Sequence, residues 1–367
     1  MADFIMPAGW QGWPGAPLVF CLRVCHHIMN STSRELVYQT LNRENPARAP
    51  RHLWSLPIAS RLHPRELEAI GRDFPGDIGT ADGHCREKPA TRGGIHSIGE
   101  YVDEWGCPFV NLQEGVIGEV KDPPVKDWAA DRSKIHTPRE WLTIDRDAVN
   151  RGAAGSDKFL LAEACPRPFE QLQFLRGTEN LYMDLLDQPT EMMAFLREMH
   201  AFWCELLVLW AGTDVDALFF MDDWGSQRAL LISPELWREI FKPLYRDYAQ
   251  IAHAAGKKIF MHSDGQILAI YPDLVEIGMD ALNSQIFCIG IDKLKPFAGK
   301  ITFWGEIDRQ HLLPDGTPDD IDRAVRDVHS NLWRNGGCIA QCEFGPAARP
   351  ENVRQVFAAW DVVTQRH

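Results

Sequence analysis

No run in this chain approaches the roughly 20 consecutive apolar residues that a bilayer-crossing helix needs, so no membrane span is expected. Residues 1–17 hold tryptophan, glycine and proline rather than a basic start followed by an apolar core, which is not the pattern of a secretory signal. Cysteine is sparse, nine in 367 residues with no CxxC pair. That excludes a disulfide scaffold and suits a reducing, cytoplasmic setting. Positive charge is also short: 38 lysines and arginines face 51 acids, for a net charge of −13. Such a surface repels nucleic-acid phosphate and anionic lipid, which leaves small molecules or proteins as expected partners. Low-complexity tracts, internal repeats and linker-like stretches are absent as well. With 45% hydrophobic residues the chain can bury one large core.

What is present is an alternation of short apolar runs with amphipathic stretches. Runs at 52–56, 76–79, 159–164, 217–222, 258–263, 280–286, 301–306 and 338–343 read as strands. About eight is the number that closes a parallel barrel. Between them lie helical patterns. In 234–255, Leu236, Ile240, Leu244, Tyr248 and Ile251 recur at three- or four-residue spacing, with Ser233-Pro234 as the start signal and Gly256 as the stop. Ile321, Val325, Val328 and Leu332 mark a second helix over 319–333, and 33–42 a third. The predicted fold is α/β, a single (β/α)8 TIM barrel over 31–367 with an N-terminal extension over 1–30. A loop-rich insertion over 80–128 is expected to serve as a lid or an oligomer contact, so a homodimer is allowed.

In such barrels the chemistry sits at the C-terminal ends of the strands. Those ends carry Glu163, Asp222 with Asp223, His262 with Asp264, Gln285, Glu306 with Asp308, and Cys342 with Glu343. The most informative is His262-Ser263-Asp264-Gly265, because residues two apart on a strand share a face and both side chains could converge on one ion. A lone histidine after a strand is more often structural, and Asp264 is what raises the prospect. Asp222-Asp223 is either ordinary turn chemistry before Trp224-Gly225 or a carboxylate pair fit for acid–base work. Trp224, Gln285, Glu306 and Cys342 are further candidates for substrate contact. Cys25-His26-His27 are adjacent residues that rarely converge on one metal. Asp82-Gly83-His84 begins a D-x-H-x-x-G corrinoid pattern but has Glu87 at the glycine, so this motif is rejected as a cobalamin site.

Met221 through Gln227, Ile232 through Trp237, Lys242-Pro243, Ala255 through Lys258 leading into His262, Arg176-Gly177 and Arg349-Pro350-Glu351-Asn352 together resemble the uroporphyrinogen decarboxylase superfamily. The likeness runs from about Thr32 to the C-terminus. It implies the same (β/α)8 barrel and two activities: cofactorless porphyrinogen decarboxylation, or methyl transfer to or from a corrinoid on a separate protein. The decarboxylases' arginine-rich N-terminal signature is missing, since 52–57 reads His-Leu-Trp-Ser-Leu-Pro, so a decarboxylase or lyase is the alternative.

In the methyltransferases, zinc is held by His-x-Cys and a later cysteine about seven residues before a proline. His262 matches that histidine, Asp264 stands at the first cysteine, and counting back from Pro350 reaches Glu343. The resemblance therefore implies a divalent ion, zinc being expected, on His262, Asp264 and Glu343, with Cys342 as a spare. Oxygen ligands make a harder Lewis acid than thiolates, which suits a methyl ether and hence demethylation of a methoxylated compound. Asp222 or Asp223 would orient the substrate or supply a proton, and cobalamin would arrive on its carrier protein.

Overall fold

The computed structural model describes residues 31–81, 85–162 and 164–364; the expected N-terminal extension, Cys25-His26-His27, Asp82-Gly83-His84 and Glu163 lie outside these. All eight apolar runs form parallel strands: β1 (Arg51–Ser55), β2 (Ile78–Thr80), β6 (Phe159–Leu161), β7 (Ala217–Met221), β8 (Lys258–Ser263), β9 (Ala281–Ser284), β10 (Thr302–Phe303) and β11 (Ala340–Phe344). Six of them make one sheet in the order β10-β9-β8-β7-β6-β2, and β1 pairs with β11. Isolated parallel bridges join Phe303 to Cys338 and Glu306 to Gln341, and the Asp77 amide donates to the Arg51 carbonyl at 2.8 Å.

Helices connect the strands and cover the outer face. Ser33–Asn42 starts at a capping box in which Thr32 accepts from the Glu35 amide and the Glu35 carboxylate accepts from Thr32. The pattern over 234–255 is expected as one helix but forms two, Pro234–Ile240 and Lys242–Ala254. Pro243 has no N–H for the Glu239 carbonyl four residues back, so the helical ladder breaks there. The tract expected to be loops holds a three-stranded antiparallel sheet, β3 (Gly99–Val102), β4 (Pro108–Asn111) and β5 (Glu119–Val120). Asp103 shapes its first turn, its Oδ1 accepting from the amides of Trp105 and Cys107. Among the described residues no helix is long and apolar enough to cross a membrane.

Alternation along the strands sorts side chains into two layers. Phe159, Leu161, Ala217, Phe260, Ala281, Trp304 and Ile339 pack together on one face. That face is the inner one, because Trp54 of β1 lies 5.3 Å from Trp304 and 5.0 Å from His262, ring centre to ring centre. Leu218, Phe220, Ile259, Met261, Leu282 and Cys342 pack outward among the helices. A two-residue step along the inner face therefore leads from Phe260 to His262, from Ala281 to Asn283, and from Ile339 through Gln341 to Glu343. On the outer face the same step leads from Phe220 to Asp222.

Candidate metal centre at the strand ends

His262 is buried at the end of β8, and its Nδ1 lies 2.6 Å from Asn283 Oδ1 on the neighbouring strand. The Asn283 amide nitrogen donates to the Trp304 carbonyl, which fixes Oδ1 as the acceptor and places the ring proton on Nδ1. Nε2, which in the neutral ring keeps its lone pair, points at two carboxylates, Asp223 Oδ1 at 3.5 Å and Asp264 Oδ1 at 3.7 Å. One ligand atom from each of Asp223, His262 and Asp264 lies within 4.8 Å of the others. Asp264 Oδ1 is also buried without a hydrogen-bond partner. In the neutral ring that lone pair and the bare oxygen repel unless a cation, a proton or a metal ion, lies between them. The donor set, one imidazole with its other nitrogen anchored and two carboxylates, thus fits a divalent ion.

Two glycines hold the loops that carry these donors. The Gly225 amide donates to the Asp264 carbonyl at 3.0 Å, and the Asp264 amide donates to Asp223 Oδ1 at 2.9 Å. A Cβ on Gly225 would meet the Gln266 nitrogen at 2.3 Å, and one on Gly265, where φ is +76°, would meet the Gly225 oxygen at 2.1 Å. Only side-chain-free residues allow that back-to-back crossing. Gln285 Oε1 accepts from the Gly265 amide at 3.2 Å and steadies the same crossing.

Beside this corner lies a second one. Arg309 donates to Glu343 Oε2 at 2.8 Å, to Glu306 Oε1 at 3.3 Å and to Asp264 Oδ2. Glu306 is almost wholly buried, and burial pushes its carboxyl up to about 8, with Asp264, Glu343 and Asp223 adding to the rise and Arg309 opposing it. Burial raises Glu343 too, against Arg309. Gln285, Glu306 and Arg309 line an open cleft of about 150 Å³ at this corner. Glu170, on the helix after β6, is pushed up to about 8 by burial first and by Asp223 next, and its Oε2 is buried without a partner.

The expected site residues fall into three groups. His262 and Asp264 come together with Asp223, expected as a catalytic acid, whereas Glu343 is outside that donor group and is held by Arg309. Gln285 and Glu306 reach the cleft. Asp222, Trp224 and Cys342 are fully buried away from it. Asp222 accepts from the amides of Phe169 and Glu170 at 2.9 Å each and from the Tyr245 hydroxyl at 2.6 Å. These bonds hold down the rise to about 7 that burial produces, and they make Asp222 an anchor for the strand-end backbone. Trp224 stacks on Phe169 at 4.0 Å and donates to Tyr245, so it is packing rather than a substrate contact. Cys342 points outward, where burial drives its thiol far above the usual range, so it offers no thiolate to the site.

A model of the uroporphyrinogen decarboxylase (URO-D) family matches residues 103–362, which span every donor from Asp223 to Glu343. The chain belongs to that family. Among solved structures this URO-D member is similar to a methyltransferase from Methanosarcina mazei, with a TM-score of 0.64 at 14% identity over 91% of this chain and 99% of that one. A 3-keto-D-glucoside 4-epimerase from E. coli, in its apo form, aligns with a TM-score of 0.37 at 11% identity, over 61% of this chain and 86% of that one. A search of curated protein sequences finds no match.

Asn283, Arg309 and Glu170 carry much of the URO-D member's site and were not singled out from sequence. Asn283 and Arg309 each had a signal. Asn283 shares the inward parity of β9 with Ala281, and Arg309 follows Glu306 by three residues. Nothing in the sequence marks Glu170, whose position depends on the packing of the helix Pro168–Arg176.

Proposed function

We propose that this chain is a metal-dependent methyltransferase that moves a methyl group from a small methoxylated compound to the cobalt of a corrinoid carried by a separate protein, in the cytoplasm. One observation carries the reading: His262 Nε2 and the unpartnered Asp264 Oδ1 converge with Asp223, and among the described residues no side-chain cation lies between them, Arg309 reaching only the outer oxygen of Asp264. The superfamily resemblance and the fold likeness to a methyltransferase support the reaction class. The bridges from β10 to β11 and the bond from β2 to β1 support a ring of eight strands whose open end receives both substrates.

Asp223, His262 and Asp264 would hold the ion, with zinc or a harder divalent metal suited to one nitrogen and two oxygens. When bound, the ion supplies Lewis acidity toward the departing oxygen. Asn283 fixes the imidazole tautomer and the ring's direction. Glu306, kept neutral by burial at the edge of the cleft, holds a proton for that oxygen. Arg309 keeps Glu343 and the outer oxygen of Asp264 in place, and the inner carboxylate oxygen stays free.

Metal analysis of the purified protein, followed by an assay with free cob(I)alamin and a methoxylated aromatic compound, tests the proposal. A stoichiometric ion and appearance of the methylcobalt spectrum are expected, both lost in His262→Ala. Methyl transfer that survives complete chelation would overturn the metal's role. Decarboxylation of a porphyrinogen by the metal-free protein would favour the lyase alternative.

A further inference from the structure

Apart from the strand-end cleft, a cavity of about 570 Å³ lies between the inserted sheet, the segment after β6 and the helix Thr190–Ala211. Its walls are rich in aromatic rings: Tyr101, Trp105 and Phe109 from the insertion, Trp203 and Trp210 from the helix, and Trp141. These rings brace one another, with Trp203 lying 5.7 Å from Trp105 and 5.8 Å from Trp141 between centres. The volume is in the usual range for a small-molecule site, and flat rings offer stacking faces to a flat ligand.

One wall residue is out of keeping with the rest. Arg167 is half-buried, yet among the described residues no carboxylate lies within ion-pair reach of it, and its one hydrogen bond is a 4.0 Å contact to Cys165 Sγ. Arg51, Arg176 and Arg309, comparably sheltered, each grip an aspartate or glutamate. A guanidinium shielded from water without an anion is costly, and its planar fork matches a carboxylate with two parallel bonds. The acids of the wall, Glu87, Asp103 and Glu104, lie on the insertion side, where Asp103 Oδ1 is already taken by the Trp105 and Cys107 amides, Glu104 is half-buried, and Glu87 and the neighbouring Lys88 are exposed. Arg167 is on the barrel side, within electrostatic range of Glu170 and Asp222.

The geometry points to a flat aromatic carboxylate as the ligand of this cavity, with its ring among the tryptophans and its carboxylate on Arg167. Naming that ligand as the methyl-bearing substrate rests on the methyl-transfer reading above; the binding itself does not.

The test uses the full chain without any corrinoid partner, titrated with 4-methoxybenzoate and with the uncharged 4-methoxybenzyl alcohol. Tryptophan fluorescence and calorimetry report binding. The carboxylate should bind about tenfold or more tightly than the alcohol, as a charge-assisted pair predicts. Arg167→Gln should erase the preference while leaving the alcohol's affinity in place, and Arg167→Lys, which keeps a cation, should retain a preference. Equal wild-type affinities, or a preference that persists in R167Q, would overturn the assignment. Carboxylate binding without methyl transfer to cob(I)alamin would leave the cavity standing and remove only the substrate's identification.

Discussion

Two corners of the same strand-end rim solve one electrostatic problem in opposite ways. At the β10 and β11 ends, Glu306 and Glu343 gather around Arg309, a counter-charge built into the chain. At the β7 and β8 ends, Asp223 and Asp264 gather around an imidazole whose Nδ1 proton is directed elsewhere; Arg309 reaches only the outer oxygen of Asp264, and among the described residues no side-chain cation sits between the inner oxygens. Acidic clusters of similar composition thus have different meanings. The corner centred on the arginine is complete; the other draws on that arginine at one outer oxygen alone, and the shortage at its inner oxygens is what recommends it as a metal centre.

The contrast is most severely tested by His262→Ala, which should weaken ion retention more than about 100-fold and abolish methyl transfer, as read by metal content after dialysis. Arg309→Met strikes the other corner. Leaving the Asp264 and Glu343 carboxylates and the Glu306 carboxyl without their shared cation should cost about 3–5 kcal/mol in denaturant unfolding, and an unchanged midpoint would show that the arginine is dispensable. Asn283→Ala keeps all three donors but frees the imidazole, so metal affinity should fall by about 10–100-fold. Glu343→Ala separates the two corners directly: ion content should persist, whereas loss of the ion would return Glu343 to the ligand set.

The smallest effect concerns pH. The Glu306 carboxyl rises from 4.5 to about 8 on folding. The folded chain therefore holds that proton more tightly than the unfolded one, a stabilisation complete below pH 4.5 and lost as pH climbs through about 8. Glu306→Gln cannot ionise, so its melting temperature should fall less than the wild type's over that window, by a few degrees.

Much of this architecture was legible in the chain. Each of the eight parallel strands fell in a short run between turn signals, most of them largely apolar and too brief for a helix, although 76–79 has only Ile78 as its apolar residue. The break at Phe241 was equally readable from Pro243, and the inserted sheet was hidden because β3 to β5 are short and interrupted by glycine and proline. At the site, choosing between neighbours depended on parity. Asp223 and Glu343 inherit the inward face from Met221 and Gln341, whereas Asp222 and Cys342 inherit the outward one, so strict alternation would have separated the pairs. The grip of Arg309 on three acids was not readable, because it joins residues 34 and 45 positions apart through the curvature of the sheet.

The crossing of Gly225 and Gly265 has a consequence for selectivity. Two backbones locked at van der Waals distance hinge poorly, so the gap between the carboxylates of Asp223 and Asp264 has a set width before anything enters it. Discrimination among divalent ions would then follow their radii, and a methyl group at Gly225, which would meet the Gln266 nitrogen at 2.3 Å, should break the crossing and lose the ion rather than retune its choice.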